Sequence, residues 1–129
     1  MSGQLGMRHR SPRRAASRLR EMSSVEQAYV GALIDGEGYF GRQVNFRNGR
    51  RHPYYNVMVA NCDVELISAL VRATRIPGVG AKGWSRTTRK QGWIWYSGRA
   101  LEVIALATAI VPYSVKAQAF LEGVRDDEH

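Results

Sequence analysis

Apolar residues along this chain switch between two spacings, and the switches mark out its elements. From Ser23 onward, Val25, Ala28, Tyr29, Ala32 and Leu33 recur at helical spacing. Ser23-Ser24-Val25-Glu26 has the S-x-x-E form of a capping box, which starts the helix at Ser23 or Ser24. The helix should end near Asp35 to Gly36, because Gly36 and Gly38 tolerate backbone angles that stop one. Over Tyr39 to Arg47 the period becomes two. Phe40, Val44 and Phe46 share one face, interrupted by Arg42, while Tyr39, Gln43, Asn45 and Arg47 share the other. Asn48-Gly49 reads as a turn, Arg50, Arg51 and His52 follow, and Pro53 opens a second strand through Ala60. In that strand Tyr55, Val57 and Val59 take the core side, and Tyr54, Asn56, Met58 and Ala60 the other.

Asp63 is placed to cap a helix from Val64 to about Ala73, with Leu66, Ile67, Leu70 and Val71 as its apolar stripe. Ile76-Pro77-Gly78 breaks it. Val79 to Arg86 and Gly92 to Ser97 read as a second hairpin around Arg89 to Gly92. Arg99 to Ile110 is helical, Pro112 punctuates, and Ser114 caps a last helix to about Glu122. The order helix, strand, strand, helix, strand, strand, helix, helix describes an α+β domain, with antiparallel hairpins covered by helices on one face. The other face of the sheet is polar and basic by parity, and solvent alone is one sufficient explanation for it.

Composition narrows the class. A chain of 129 residues holds one domain with a modest core. Its most apolar segment, Leu101 to Val111, is about half the roughly 20 residues that a membrane helix requires. A lone cysteine, Cys62, excludes an internal disulfide and a CxxC zinc pair, and His9, His52 and His129 are too scattered for a metal cluster. The expected location is intracellular and soluble, in cytoplasm or nucleoid, with no signal peptide.

The formal charge is +8, but residues 1–20 hold six arginines and no acid. The other 13 basic residues nearly balance the 11 acidic ones. Residues 1–22 lack apolar periodicity and read as a disordered basic tail. Three origins stay open: a tail gripping phosphates, a start placed ahead of Met7 or Met22, or an organelle transit peptide. The domain then covers residues 23–123, and 124–129 form a solvated acidic tail.

Candidate chemistry concentrates in "GALIDGEGYF", residues 31–40. Two carboxylates, Asp35 and Glu37, stand at a helix C-terminus, where the macrodipole disfavours each by about 0.3–1 kcal/mol. Asp35 has a local use, since Asp can bond its own turn. For the pair, coordination of a hard divalent cation such as Mg²⁺ is the attractive explanation.

The same segment closely resembles the signature of the LAGLIDADG homing endonucleases. The resemblance extends through "NCDVELISAL", "RIPGVG" and "SGRALEVIALATAIVPYSVKAQAFLEG", and so covers about residues 24–123. It implies an αββαββα fold with a saddle-shaped antiparallel sheet. It also implies an intron-encoded, site-specific DNA endonuclease. With one signature per chain, a homodimer is expected, its interface formed by Ala28, Gly31, Ala32 and Asp35. Glu37 and the carbonyl of Gly36 are the implied metal ligands, for Mg²⁺ or Mn²⁺. Asn61 takes the place of a water-ordering group, and Lys116 that of a lysine near the scissile phosphate, although a plain surface lysine fits as well. Asp63 and Glu65 stand where relatives often place a basic residue. The implied reaction is metal-assisted hydrolysis of one phosphodiester per strand across the minor groove, leaving short 3′ overhangs.

In that family the sheet lies in the major groove of a pseudo-palindromic duplex. The implied DNA-binding residues are Tyr39, Gln43, Asn45, Arg47, Tyr54, Asn56 and Met58, with Arg50 and Arg51 on phosphate. Lys82 and Arg86 join them on one register of the second hairpin. Trp84, Trp93 and Trp95 fit either the DNA face or the core. The alternative is a non-cleaving DNA-binding regulator or an RNA maturase assisting intron splicing, which the fold also permits.

Overall fold

The computed structural model describes residues 4–5, 11–81 and 92–128. Lys82, Trp84, Arg86 and the turn of the second hairpin lie outside the described residues. In chain order the elements are β1 (Gln4–Leu5), α1 (Pro12–Arg20), α2 (Ser24–Glu37), β2 (Gly38–Arg47) and β3 (Arg50–Asn61). They continue with α3 (Val64–Thr74), β4 (Gly78–Ala81), β5 (Gly92–Ser97), α4 (Ala100–Ile110), a 3₁₀ turn (Val111–Tyr113) and α5 (Val115–Asp127).

The capping box forms as its motif requires. Glu26 N donates to Ser23 Oγ at 3.1 Å, and Ser23 N donates to Glu26 Oε1 at 3.0 Å. The helix end departs from expectation. α2 runs through Gly36 to Glu37, and Gly38 enters β2 at φ −136°, ordinary extended backbone. Gly38 is there for space: a Cβ would meet the Met58 carbonyl oxygen at 2.5 Å. The positive-φ turn falls instead at Asn48 (52°) and Gly49 (76°), the pair of left-handed residues a tight hairpin needs.

The strands form one antiparallel sheet in the order β1-β4-β5-β3-β2. Tyr55, Val57, Val59 and Trp95 are buried on its helix-covered side. Trp93 packs partly buried on the same side, so both tryptophans belong to the core. Trp95 Nε1 donates to Thr74 Oγ1 at 3.3 Å, which satisfies the buried indole. Phe120 of α5 stacks on Phe40 at 5.0 Å and meets Tyr55 edge-on at 5.4 Å.

Residues 12–20 and 124–127 are helical, more regular than their composition suggests. Pro12–Arg20 forms a helix capped by Ser11 and packed on α4, with Leu19 fully buried. The expected tail over residues 1–22 is thus a docked helix across 12–20. The acidic end is helical, because α5 continues to Asp127, whose side chain is buried while Asp126 and Glu128 are exposed. Arg42, the residue that interrupted the apolar face of β2, donates from Nη1 to Asp127 Oδ1 at 2.6 Å and to the Gly123 carbonyl at 3.0 Å. Tyr55 Oη donates to Asp127 Oδ2 at 2.9 Å. Arg51 stands on this side of the sheet too, 3.5 Å from Asp127, so it is not on the open face with Arg50. Burial, and then the bond to Asp127, push the Tyr55 phenol up to about 12.

The Asp127 side chain is only 3% exposed, and removing it takes the counter-charge from Arg42 and the acceptor from the Tyr55 phenol. Asp127→Ala should therefore lower stability by about 1–3 kcal/mol, measured as a reduced denaturation midpoint at unchanged slope.

Candidate active site and nucleic-acid interface

The end of α2 and the start of α5 hold each other. The Asp35 carboxylate accepts from Ser114 Oγ at 2.6 Å, Val115 N at 3.0 Å and Lys116 N at 3.3 Å. It thus satisfies the orphan N–H groups of α5 together with Ser114, which itself accepts from Ala117 N at 3.0 Å. In the opposite direction, Lys116 Nζ donates to the Gly38 carbonyl at 2.6 Å and the Ile34 carbonyl at 3.4 Å. That places a cation on the negative end of α2. Burial alone would push the Asp35 carboxyl up. The Ser114 hydroxyl, the Val115 and Lys116 N–H groups and the Lys116 charge outweigh it, holding the carboxyl below its ordinary value.

Glu37 stands apart from this exchange. It is exposed, and Asn61 Nδ2 donates to its Oε2 at 3.4 Å. Asn61 Oδ1 accepts from Asp63 N at 2.9 Å, which fixes the carboxamide between Glu37 and the capped start of α3. Asp63 in turn accepts from Glu65 N at 2.9 Å, so its carboxylate serves as the helix cap. Gly36 is exposed, with open space where a Cβ would stand. Among the described residues, no three His, Cys, Asp or Glu side chains converge on one point. A cation at Glu37 would take one carboxylate from this chain.

The side of the sheet away from the helices is continuous and polar. Its cross-strand rows are Tyr39 with Met58 and Tyr96, Gly41 with Asn56, Gln43 with Tyr54, Asn45 with His52, and Arg47 with Arg50. Gly41 leaves the room in which the Asn56 carboxamide lies, since a Cβ would overlap it. The Tyr54 and Tyr96 hydroxyls hydrogen-bond to each other, and Gly98 clears the space beside them. The bond to Tyr54, and then burial, push the Tyr96 phenol up to about 12. Tyr96 and His52 belong to this face and were absent from the residues expected on it. Parity along β3 already put His52 there, whereas Tyr96 required the β3–β5 register.

The outward surface of α2 also differs from expectation. Gly31 is buried under the 3₁₀ turn, where a Cβ would meet the Tyr113 carbonyl oxygen at 3.1 Å. Asp35 faces α5. Of the four residues expected at an interface, Ala32 is exposed and Ala28 half-buried. Together with Val25 (77% exposed) and Tyr29 (47%), Ala32 and Gly36 form an outward stripe of apolar and small residues.

No family model and no curated protein matches this chain. Among solved structures it is similar to an archaeal intron-encoded homing endonuclease complexed with DNA, at a TM-score of 0.54 and 17% identity. The likeness covers 75% of this chain and 63% of that one, and it is a likeness of fold.

The lowered Asp35 carboxyl makes a signed prediction. A group depressed on folding contributes stability above its unfolded value of about 3.9, and the contribution is lost as pH falls through the folded value. Asp35→Asn should be less stable than wild type near neutrality, and the gap should close below about pH 4 in denaturant titrations.

Proposed function

We propose that this protein is a DNA-binding nuclease of the LAGLIDADG homing-endonuclease type, acting as a homodimer on a long pseudo-palindromic duplex. One observation carries the reading: at the C-terminal end of α2, Glu37 is exposed and uncapped, while its neighbours Asp35 and Lys116 are engaged in holding the helices together. An acid kept at the unfavourable end of a helix with no capping duty there is suited to a task beyond folding.

Glu37 and the Gly36 carbonyl fit a Mg²⁺ or Mn²⁺ site of the kind that uses one or two carboxylates plus waters and phosphate oxygens. When bound, such a cation polarises the phosphodiester and stabilises the departing oxygen. The remaining work falls to the chain itself. Asn61 orients the Glu37 carboxylate and has a second contact through Asp63, so it can order water beside the scissile bond. Gln43, Asn45 and Asn56 present amide groups suited to adenine, and Arg47 a guanidinium suited to guanine. Arg50, at the hairpin tip, suits phosphate. A second copy of α2 would cover the outward stripe of Val25, Tyr29, Ala32 and Gly36 and bring two Glu37 side chains near one axis.

A second reading has its own support. The Lys116 ammonium is held by two backbone carbonyls, and the start of α3 carries Asp63 and Glu65 in place of a basic group. Both features favour a DNA-binding regulator or an RNA maturase that does not cut.

DNA spanning the uninterrupted insertion site of the protein's own gene distinguishes the two. Double-strand breaks in Mg²⁺ and binding without breaks in Ca²⁺ support the nuclease; binding without breaks in both supports the regulator. Glu37→Gln should abolish cleavage and keep binding within about tenfold, or about 1.4 kcal/mol. Cleavage by that variant would remove Glu37 from the mechanism.

A further inference from the structure

Three exposed arginines among the described residues lie where the open sheet face does not reach. α1 is anchored by Ala15 and Leu19, four residues apart on one side of the helix and both buried. Met22, just beyond its end, joins the same apolar cluster. The helix rests on α4, and α4 in turn covers β3 from the side opposite the polar rows. α4 thus separates α1 from the proposed DNA face.

On its outward side α1 exposes Arg13, Arg14 and Arg20. The helix contains no acid, and Arg13 and Arg14 occupy its first turn, where the macrodipole disfavours cations. Glu26, the acid near Arg18, is occupied by the Ser23 capping box. Among the described residues, no ion pair joins Arg13, Arg14 or Arg20 to a carboxylate. A helix held to the fold by buried side chains presents them at fixed spacing, which reduces the ordering cost of binding. Arg13 and Arg20, seven residues apart, lie about 10 Å from each other along the helix axis and on nearly the same side. That is close to three base-pair steps of about 3.4 Å along a nucleic-acid strand. Guanidinium groups pair with phosphate oxygens in a planar fork.

We propose that α1 is a second nucleic-acid surface, which takes the phosphodiester backbone of a segment other than the one on the sheet. The protein then holds two nucleic-acid segments at once, one on each side of the α4 layer. Recognition on α1 is of backbone charge, without base readout, and so depends steeply on salt.

The test uses the full chain with a duplex of generic sequence no longer than the half-site one protomer spans and, in parallel, an RNA hairpin of equal phosphate count. Two variants are compared with wild type: Arg13→Gln/Arg14→Gln/Arg20→Gln on the helix, and Arg47→Gln/Arg50→Gln on the sheet. Glutamine forms helices about as well as arginine, and circular dichroism checks that α1 is retained. Wild type should take up two segments per protomer by native mass spectrometry, and each variant one. The helix variant should lower the log–log salt slope of binding by about 2–3, at about 0.9 for each phosphate no longer neutralised. A second segment seen with only one of the two probes identifies which nucleic acid α1 holds. One segment per wild-type protomer that the helix variant still holds, or a helix variant with unchanged stoichiometry and slope, would overturn the proposal. A silent sheet variant, by contrast, would count against the DNA reading of the sheet and leave α1 standing.

Discussion

The end of α2 and the beginning of α5 exchange charges, and the site depends on that exchange. Asp35 closes the N-terminus of α5, and Lys116, in the first turn of the same helix, closes the C-terminus of α2. Each charge sits on the helix end of opposite sign, and each uses groups that would otherwise lack partners. The junction holds the first residues of β2 against β3, since Gly38 both receives the lysine and packs on the Met58 carbonyl. With those positions committed, Glu37 is the carboxylate left pointing outward beside Asn61. Two acids separated by one glycine thus take unrelated roles because one of them meets a helix start and the other meets solvent.

At the opposite edge of the same layer, Arg42 and Asp127 make a comparable link. An arginine in the apolar row of β2 looks like a pattern error until the last turn of α5 reaches it. Phe120 packs against Phe40 and Tyr55 between the two links. α5 is therefore fastened at its first and last turns, with aromatic packing in the middle. Among the described residues, the other side of the sheet carries the Tyr54–Tyr96 pair and a contact from Tyr39 Oη to Met58 Sδ.

Much of the fold was legible because it rests on local rules. Ser23 and Glu26, Asn48 and Gly49, Asp63 and Ser114 each occupy the place their chemistry demands. Strand parity separated Gln43, Asn45 and Asn56 from Phe40, Val57 and Val59. What escaped the sequence was long-range. α2 is apolar around most of its circumference, so helical spacing picked out Val25, Ala28, Tyr29, Ala32 and Leu33 without separating the inward residues from the outward ones. The structure buries Val30, Gly31 and Ile34 and leaves Val25, Tyr29 and Ala32 outside. Composition made residues 12–20 and 124–127 look solvated, because Leu19 and Asp127 act through partners far along the chain. Resemblance singled out Glu37 and Asn61, and the structure brings them within 3.4 Å of each other. The partners of Asp35 and Lys116 belong to a contact some eighty positions apart, which no spacing rule carries.

A double-mutant cycle on Asp35→Ala and Lys116→Met reads whether the α2–α5 junction acts as one unit. If the two residues maintain one junction, loosening either releases the other, and the combined loss of stability in denaturant falls short of the sum. A coupling of about 1 kcal/mol is expected, above the roughly 0.3–0.5 kcal/mol within which independent sites add. Strict additivity, or a Lys116→Met variant as stable as wild type, would contradict it.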